Sequence, residues 1–249
     1  MSRDWDFYAC RIDDKPGSIF VDLALARAAP VPQSPVLAYV LLEMNAPRSD
    51  GLSSQAEFAA LAAIEDALET ELCAEPQTLY VGRSTTAGRR DFLFYAGDAG
   101  HWKDRVAAVM RRFPDYDVHC GTRADPEWRT YFEFLYPSPE DHQRMQNRRV
   151  CFNLEKHGDA LAEAREIDHW ADFPSAAARA AFTERAAALG FRLRGNRDPE
   201  KPGDRFGVRL FRRDVPSFEG IDDVTLPLFQ LAEECGGDYD GWETMVVKE

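Results

Sequence analysis

Apolar positions fall into short stretches with a two-residue rhythm and longer ones with a helical rhythm, and the order of the two is repeated once along the chain. Strands are expected over 5–10 and 18–21, set apart by Asp13-Asp14-Lys15-Pro16-Gly17, whose Pro-Gly pair turns the chain into a hairpin. The run 36–42 is apolar on both alternating sets of positions, which suits a central strand covered on two faces. Phe58, Leu61, Ile64, Leu68 and Leu72 then recur at helical spacing, with Glu65, Asp66 and Glu69 on a solvated opposite face. Ser54-Gln55-Ala56-Glu57 has the spacing of a capping box, so this helix is expected to begin there. Strands follow over 78–83 and 90–96, joined by Ser84-Thr85-Thr86-Ala87-Gly88. Next come a helix marked by Trp102, Val106, Val109 and Phe113 and a strand over 116–121. A short helix capped by Asp125, with Pro126 at its first position, presents Trp128, Tyr131, Phe132 and Leu135 along one side.

Ser138-Pro139 starts a new helix running toward His157, with Gly158 as its stop, and Pro137 marks the expected domain boundary. The rhythm then returns as a strand over 164–170, a helix over 175–189, strands over 191–194 and 205–213, a helix over 222–235 and a strand over 242–247. Ile221, Val224, Leu228, Leu231 and Cys235 pattern the last helix, in which Pro227 predicts a kink or a later start. The fold class expected is α+β, as two tandem ferredoxin-like (βαββαβ) sandwich domains over 1–137 and 138–249, the first with an extra N-terminal hairpin.

The 249 residues, 45% hydrophobic and 29% charged, are enough for two ordinary cores. No apolar run is long enough for a membrane span, and Met1-Ser2-Arg3-Asp4 does not open a secretory leader, so the cytoplasm is the expected location. Cys10, Cys73, Cys120, Cys151 and Cys235 are far apart and odd in number, which argues for reduced thiols. The formal net charge of -13 repels a phosphate backbone at long range and suits a basic partner.

Several short motifs invite chemistry and decline it. Gly82-Arg83-Ser84-Thr85-Thr86-Ala87-Gly88-Arg89 has neither the spacing nor the lysine of a phosphate loop and reads as a hairpin. His101, His119, His142, His157 and His169 have no metal-ligand spacing, and His119-Cys120 would point to opposite faces of a strand. In 236–243, three acids, Tyr239 and Trp242 lie close together, but aligning Gly241 with the glycine of a calcium loop places Gly236 and Val247 where acids are needed. The segment reads instead as a turn at Asp240-Gly241 leading into the last strand, with an added role at an interface left open. No catalytic residue, metal or cofactor is expected.

Charge is segregated in the second half, with basic residues concentrated over 192–213 and acids over 214–249. Arg205, Arg209, Phe211 and Arg213 share one strand face, opposite Phe206, Val208 and Leu210. One reading is therefore RNA binding through Arg192, Arg194, Arg205, Arg209 and Phe211, although 205–211 lacks the leading glycine and central aromatic of an RNA-recognition motif. Another places a small-ligand cleft or enzyme site at Tyr80, Arg83, Arg90 and Tyr95.

His169-Trp170-Ala171-Asp172-Phe173, Ala188-Leu189-Gly190-Phe191 and Asp238-Tyr239-Asp240-Gly241-Trp242 resemble the bacterial regulator of ribonuclease E activity family, RraB, over roughly 159–247 with the preceding helix. The resemblance implies a ferredoxin-like fold and inhibition of the nuclease by direct protein contact. Residues 5–137 resemble a bacterial domain of unknown function, family 695, through Gly51-Leu52, Val81-Gly82-Arg83-Ser84-Thr85, Gly88-Arg89 and Phe94-Tyr95. The leading expectation is a non-enzymatic regulator whose Asp222, Asp223, Glu233, Glu234, Asp238 and Asp240 meet a basic segment of a ribonuclease E-type partner, anchored by Tyr239 and Trp242.

Overall fold

A computed structural model describes residues 3–248, which form two compact units that divide between Pro137 and Ser138. The content is mixed α and β, with one sheet in each unit.

In the first unit the order is β1 (Trp5–Ile12), β2 (Lys15–Asp22), β3 (Val36–Glu43), α1 (Phe58–Leu72), β4 (Leu79–Thr86), β5 (Arg89–Ala96), α2 (Trp102–Met110) and β6 (Val118–Ala124). The strands join as an antiparallel sheet in the order β1-β2-β4-β5-β3-β6. Strand alternation sends Ala38, Val40, Leu42, Phe92 and Phe94 to one face, where Leu61, Ile64 and Leu68 of α1 and Trp102 and Val106 of α2 close over them. A π-helical turn, Thr130–Leu135, covers part of the other face. There Trp128 stacks on Tyr95 at 4.0 Å, and the Tyr131 hydroxyl donates to the Asp22 carbonyl at 2.8 Å.

Four local expectations are corrected in this unit. Ser54 and Glu57 do not form a capping box; α1 begins at Phe58, and the Glu57 carboxylate accepts from the amides of Asn45 and Ala46 at 2.7 and 3.0 Å, tying the chain after β3 to the helix start. Phe58 is exposed, while Glu65 turns inward to the Tyr80 hydroxyl and Arg83. Asp125 does cap, accepting from the amides of Arg129 and Thr130, but the turn it starts is π-helical and lies beyond Pro126. The β4–β5 connection is also shorter than expected: only Ala87-Gly88 lies outside the strands, both at positive φ, as in the two-residue turn whose twist matches the flanking strands.

The second unit runs α3 (Pro139–Lys156), β7 (Arg165–Phe173), α4 (Ala176–Ala188), β8 (Arg192–Arg197), β9 (Phe206–Asp214), α5 (Ile221–Glu234) and β10 (Asp238–Glu243). Its antiparallel sheet has the order β10-β7-β9-β8, so β9 separates β7 from β8. Ser138 and Ser175 cap α3 and α4 by accepting from the amides of Asp141 and Ala178. Ile167, Ala171, Phe173, Val208 and Leu210 form the sheet side of the core, under Phe182 of α4 and Val224, Leu228 and Leu231 of α5. Pro227 neither ends nor delays α5, which continues through it.

A buried polar hub fastens α3 to this core. Asn147, fully buried, donates to Asp222 Oδ1 and Thr225 Oγ1, each at 2.7 Å, and accepts from Gln143 at 2.8 Å and the Trp242 indole at 2.9 Å. All four hydrogen-bonding positions of the amide are thereby filled. Asn147→Ala strands several buried groups at once and is expected to lower the stability of the second unit by roughly 3–5 kcal/mol. Urea unfolding followed by indole fluorescence measures this, and a loss below about 1 kcal/mol would show that the hub is not what holds α3.

Candidate functional site

Strand β10 begins four residues earlier than the pattern suggests, and Asp240-Gly241 lies within it rather than turning the chain. Tyr239 pairs with Ala171 and Gly241 with Trp170, leaving Asp240 as an extra residue in a β-bulge. Gly241 has φ +123, a conformation that side-chain-bearing residues rarely adopt. The extra residue shifts the alternation by one, so Tyr239 and Trp242, three apart, both face the core while Asp238 and Asp240 face solvent.

That geometry corrects the anchor assignment. The Tyr239 hydroxyl is 2.7 Å from His169 Nδ1, and the Trp242 indole is held by Asn147, so both rings are interior supports. Burial raises the Tyr239 pKa well above the ordinary phenol value.

The six acids do not form one patch. Asp222 is half-buried, held by Arg144 and Asn147, whereas Asp223 beside it is exposed. Both lie at the start of α5, about 18 Å along the helix from Glu234. At the other end Glu233, Glu234, Asp238 and Asp240 gather at the α5–β10 corner, all exposed, with Glu234 paired to Arg185 and Asp238 to Arg205. Gly237 makes this corner tight: a Cβ there would lie 2.3 Å from the Phe173 ring.

The uncovered sheet face of the second unit carries the arginines. Arg209 lies over Trp170 at 4.9 Å and Arg194 over Phe211 at 4.2 Å, and Asp168 binds both, at 2.8 and 2.7 Å. Arg194 also meets Glu166, Arg197 meets Asp172, and exposed Arg192 stands opposite Phe211 on the edge strand. A groove of about 530 Å3 runs between Trp170, Arg194, Arg209 and Asp240. Arg194, Arg205 and Arg209 are thus already matched by carboxylates from β7 and β10, which RNA phosphates would have to displace.

Comparison with known proteins supplies the family. The model described as Family of unknown function (DUF695) matches residues 3–136, more than half of the chain. The chain belongs to that family. A second model, Regulator of ribonuclease activity B, matches residues 144–244, taking in most of α3 and all of β10. No curated protein matches. Among solved structures, an unknown protein from Galdieria sulphuraria is 14% identical, with 86% of this chain and 99% of that one covered, at a TM-score of 0.24. A protein from Bacteroides thetaiotaomicron is 8% identical, with 83% and 92% covered, at a TM-score of 0.19. Likenesses that loose carry no argument about fold.

In the DUF695 unit, Tyr80, Arg83, Arg90 and Tyr95 do not line one cleft. Arg90 and Tyr95 point to opposite faces of β5, Tyr80 and Arg83 converge on Glu65, and the Tyr95 hydroxyl donates to Asp125 at 2.6 Å. Although burial alone would raise the Asp125 pKa, the bonds from Tyr95 and two amides hold it below the ordinary carboxylate value. A shallow groove of about 900 Å3 lies elsewhere, over Tyr39, Leu41, Leu93 and His119 with Phe134 at its lip. Among the described residues, no group of three or more His, Cys, Asp or Glu side chains is placed to hold a metal ion.

His169 in the RraB-matching unit was not singled out by its spacing, yet it is 2% exposed, edge-on to Phe191 and bonded to Tyr239. Burial pushes its pKa down from 6.5 to about 4. The folded state therefore binds this proton less readily than the unfolded state, and the stability His169 contributes is complete above pH 6.5 and lost as the pH falls toward 4. Wild type is expected to lose roughly 3 kcal/mol more over that interval than His169→Gln. Urea unfolding at a series of pH values tests this, and parallel profiles would exclude it.

Proposed function

We propose that the chain is a non-enzymatic cytoplasmic regulator that acts by protein–protein contact, its second unit inhibiting a ribonuclease E-type enzyme. The observation that carries this reading is the match of residues 144–244 to the Regulator of ribonuclease activity B model. Both sheet orders support a ferredoxin-like reading of the two units: β10-β7-β9-β8 in the second, and β6-β3-β5-β4 with the β1–β2 hairpin added in the first. No helix among the described residues is long and apolar enough to cross a membrane.

The docking surface we favour is the α5–β10 corner, with Glu233, Glu234, Asp238 and Asp240. Their exposure, beside the net charge of -13, supports attraction of a basic segment. Recognition through a charged corner gives fast, salt-sensitive association. The interior supports this assignment, because Asn147, Asp159, Arg165, His169 and Tyr239 are all engaged in internal bonds.

Purified chain added to a ribonuclease E-type endonuclease is expected to slow cleavage of a single-stranded RNA and to bind the enzyme. Asp238→Lys with Asp240→Lys is expected to weaken binding by about tenfold or more through like-charge repulsion. Absence of both binding and inhibition rejects the function; undiminished binding by the double variant rejects the corner. Shift of RNA by the chain alone at physiological salt would favour the arginine face instead.

A further inference from the structure

The first unit buries a cation without a counter-ion. Arg90 extends from β5 on the face shared with Leu42 and is only 5% exposed. Its guanidinium meets hydroxyl oxygens, with Nε donating to Thr85 Oγ1 at 3.1 Å and Nη2 to Ser53 Oγ at 3.2 Å. Among the described residues, no carboxylate oxygen lies within 4.0 Å of it. The two acids whose fields reach it are engaged elsewhere: Glu65 by Tyr80 and Arg83, Glu57 by the amides of Asn45 and Ala46.

Removing a guanidinium from water without a carboxylate partner costs several kcal/mol, which a bound anion would offset. The groups come from β5, from the facing position of β4 and from the segment that precedes α1. A planar carboxylate needs only the fork of the guanidinium, whereas a tetrahedral anion also has oxygens for the hydroxyls.

We propose that Arg90, with Ser53 and Thr85, forms a binding site for a tetrahedral oxyanion, chemically a phosphate group. Burial, followed by the neighbouring Arg83, lowers the Arg90 pKa to about 10, which leaves the guanidinium charged at neutral pH. The site is separate from the α5–β10 corner and does not depend on the ribonuclease reading.

Isothermal titration of the full chain with inorganic phosphate at constant ionic strength tests the site, with sulfate as the tetrahedral substitute and acetate as the planar control. Phosphate and sulfate are expected to bind saturably and acetate at least about tenfold more weakly. Arg90→Met is expected to weaken phosphate binding by on the order of tenfold to a hundredfold while circular dichroism stays unchanged. If that variant does not fold, Ser53→Ala with Thr85→Val provides the same test, with a loss of about tenfold expected. No saturable phosphate binding, acetate binding as tight as phosphate, or full affinity in a folded variant would each overturn the proposal.

Discussion

One extra residue in β10 decides which side chains of the second unit are structural and which are free. Without Asp240 as the bulged residue, strict alternation would place Tyr239 and Trp242 on opposite sides of the sheet, and one of two large rings would leave the core. With it, Tyr239 reaches His169 across β7 and Trp242 reaches Asn147 on α3. The bulge thus locks edge strand, central strand and flanking helix together, and leaves Asp238 and Asp240 outward. A bulge also twists an edge strand away from casual pairing with other chains. Buried and solvent-facing residues are therefore interleaved within six positions.

The same economy appears in the charges. Arg194 and Arg209 are stacked on aromatic rings and held by one aspartate, so the arginine-rich face behaves as a neutralised, ordered surface. Pairs that remain exposed to water contribute little to stability, and their effect is mainly to fix side-chain positions. The α5–β10 corner keeps a surplus of negative charge despite Arg185 and Arg205. On the function proposed, a basic protein segment would meet less competition at that corner than a nucleic acid would meet on the arginine face.

Much of the secondary structure was legible because it rests on uninterrupted periodicity. Leu61, Ile64, Leu68 and Leu72 of α1, and Ile221, Val224, Leu228 and Leu231 of α5, are buried at their helical spacing. The alternation along β9 likewise separates Val208 and Leu210 from Arg209 and Phe211. Legibility failed where a local signal had two physical meanings. Asp240-Gly241 has the chemistry of a turn and of a bulge, and only pairing with β7 selects the bulge. Glu57 has the position of a capping residue, yet its carboxylate serves amides more distant in sequence, at Asn45 and Ala46. Tyr95 is a different case: five positions from Arg90 on one strand, it had to face the other way, and counting alone could have separated the two. Asn147 carries no motif, and His169, though it opens a family-like segment, has no metal-ligand spacing; the importance of both comes from contacts that the tertiary fold creates.

Hydrogen exchange at the indole Nε1 of Trp242, followed by NMR on the intact chain, probes the arrangement on which this account depends. If the bulge directs that ring inward onto Asn147, exchange should be slow and governed by unfolding of the second unit. Exchange at the rate of a free indole, while the β7 amides remain protected, would show the ring outside the core and contradict the account.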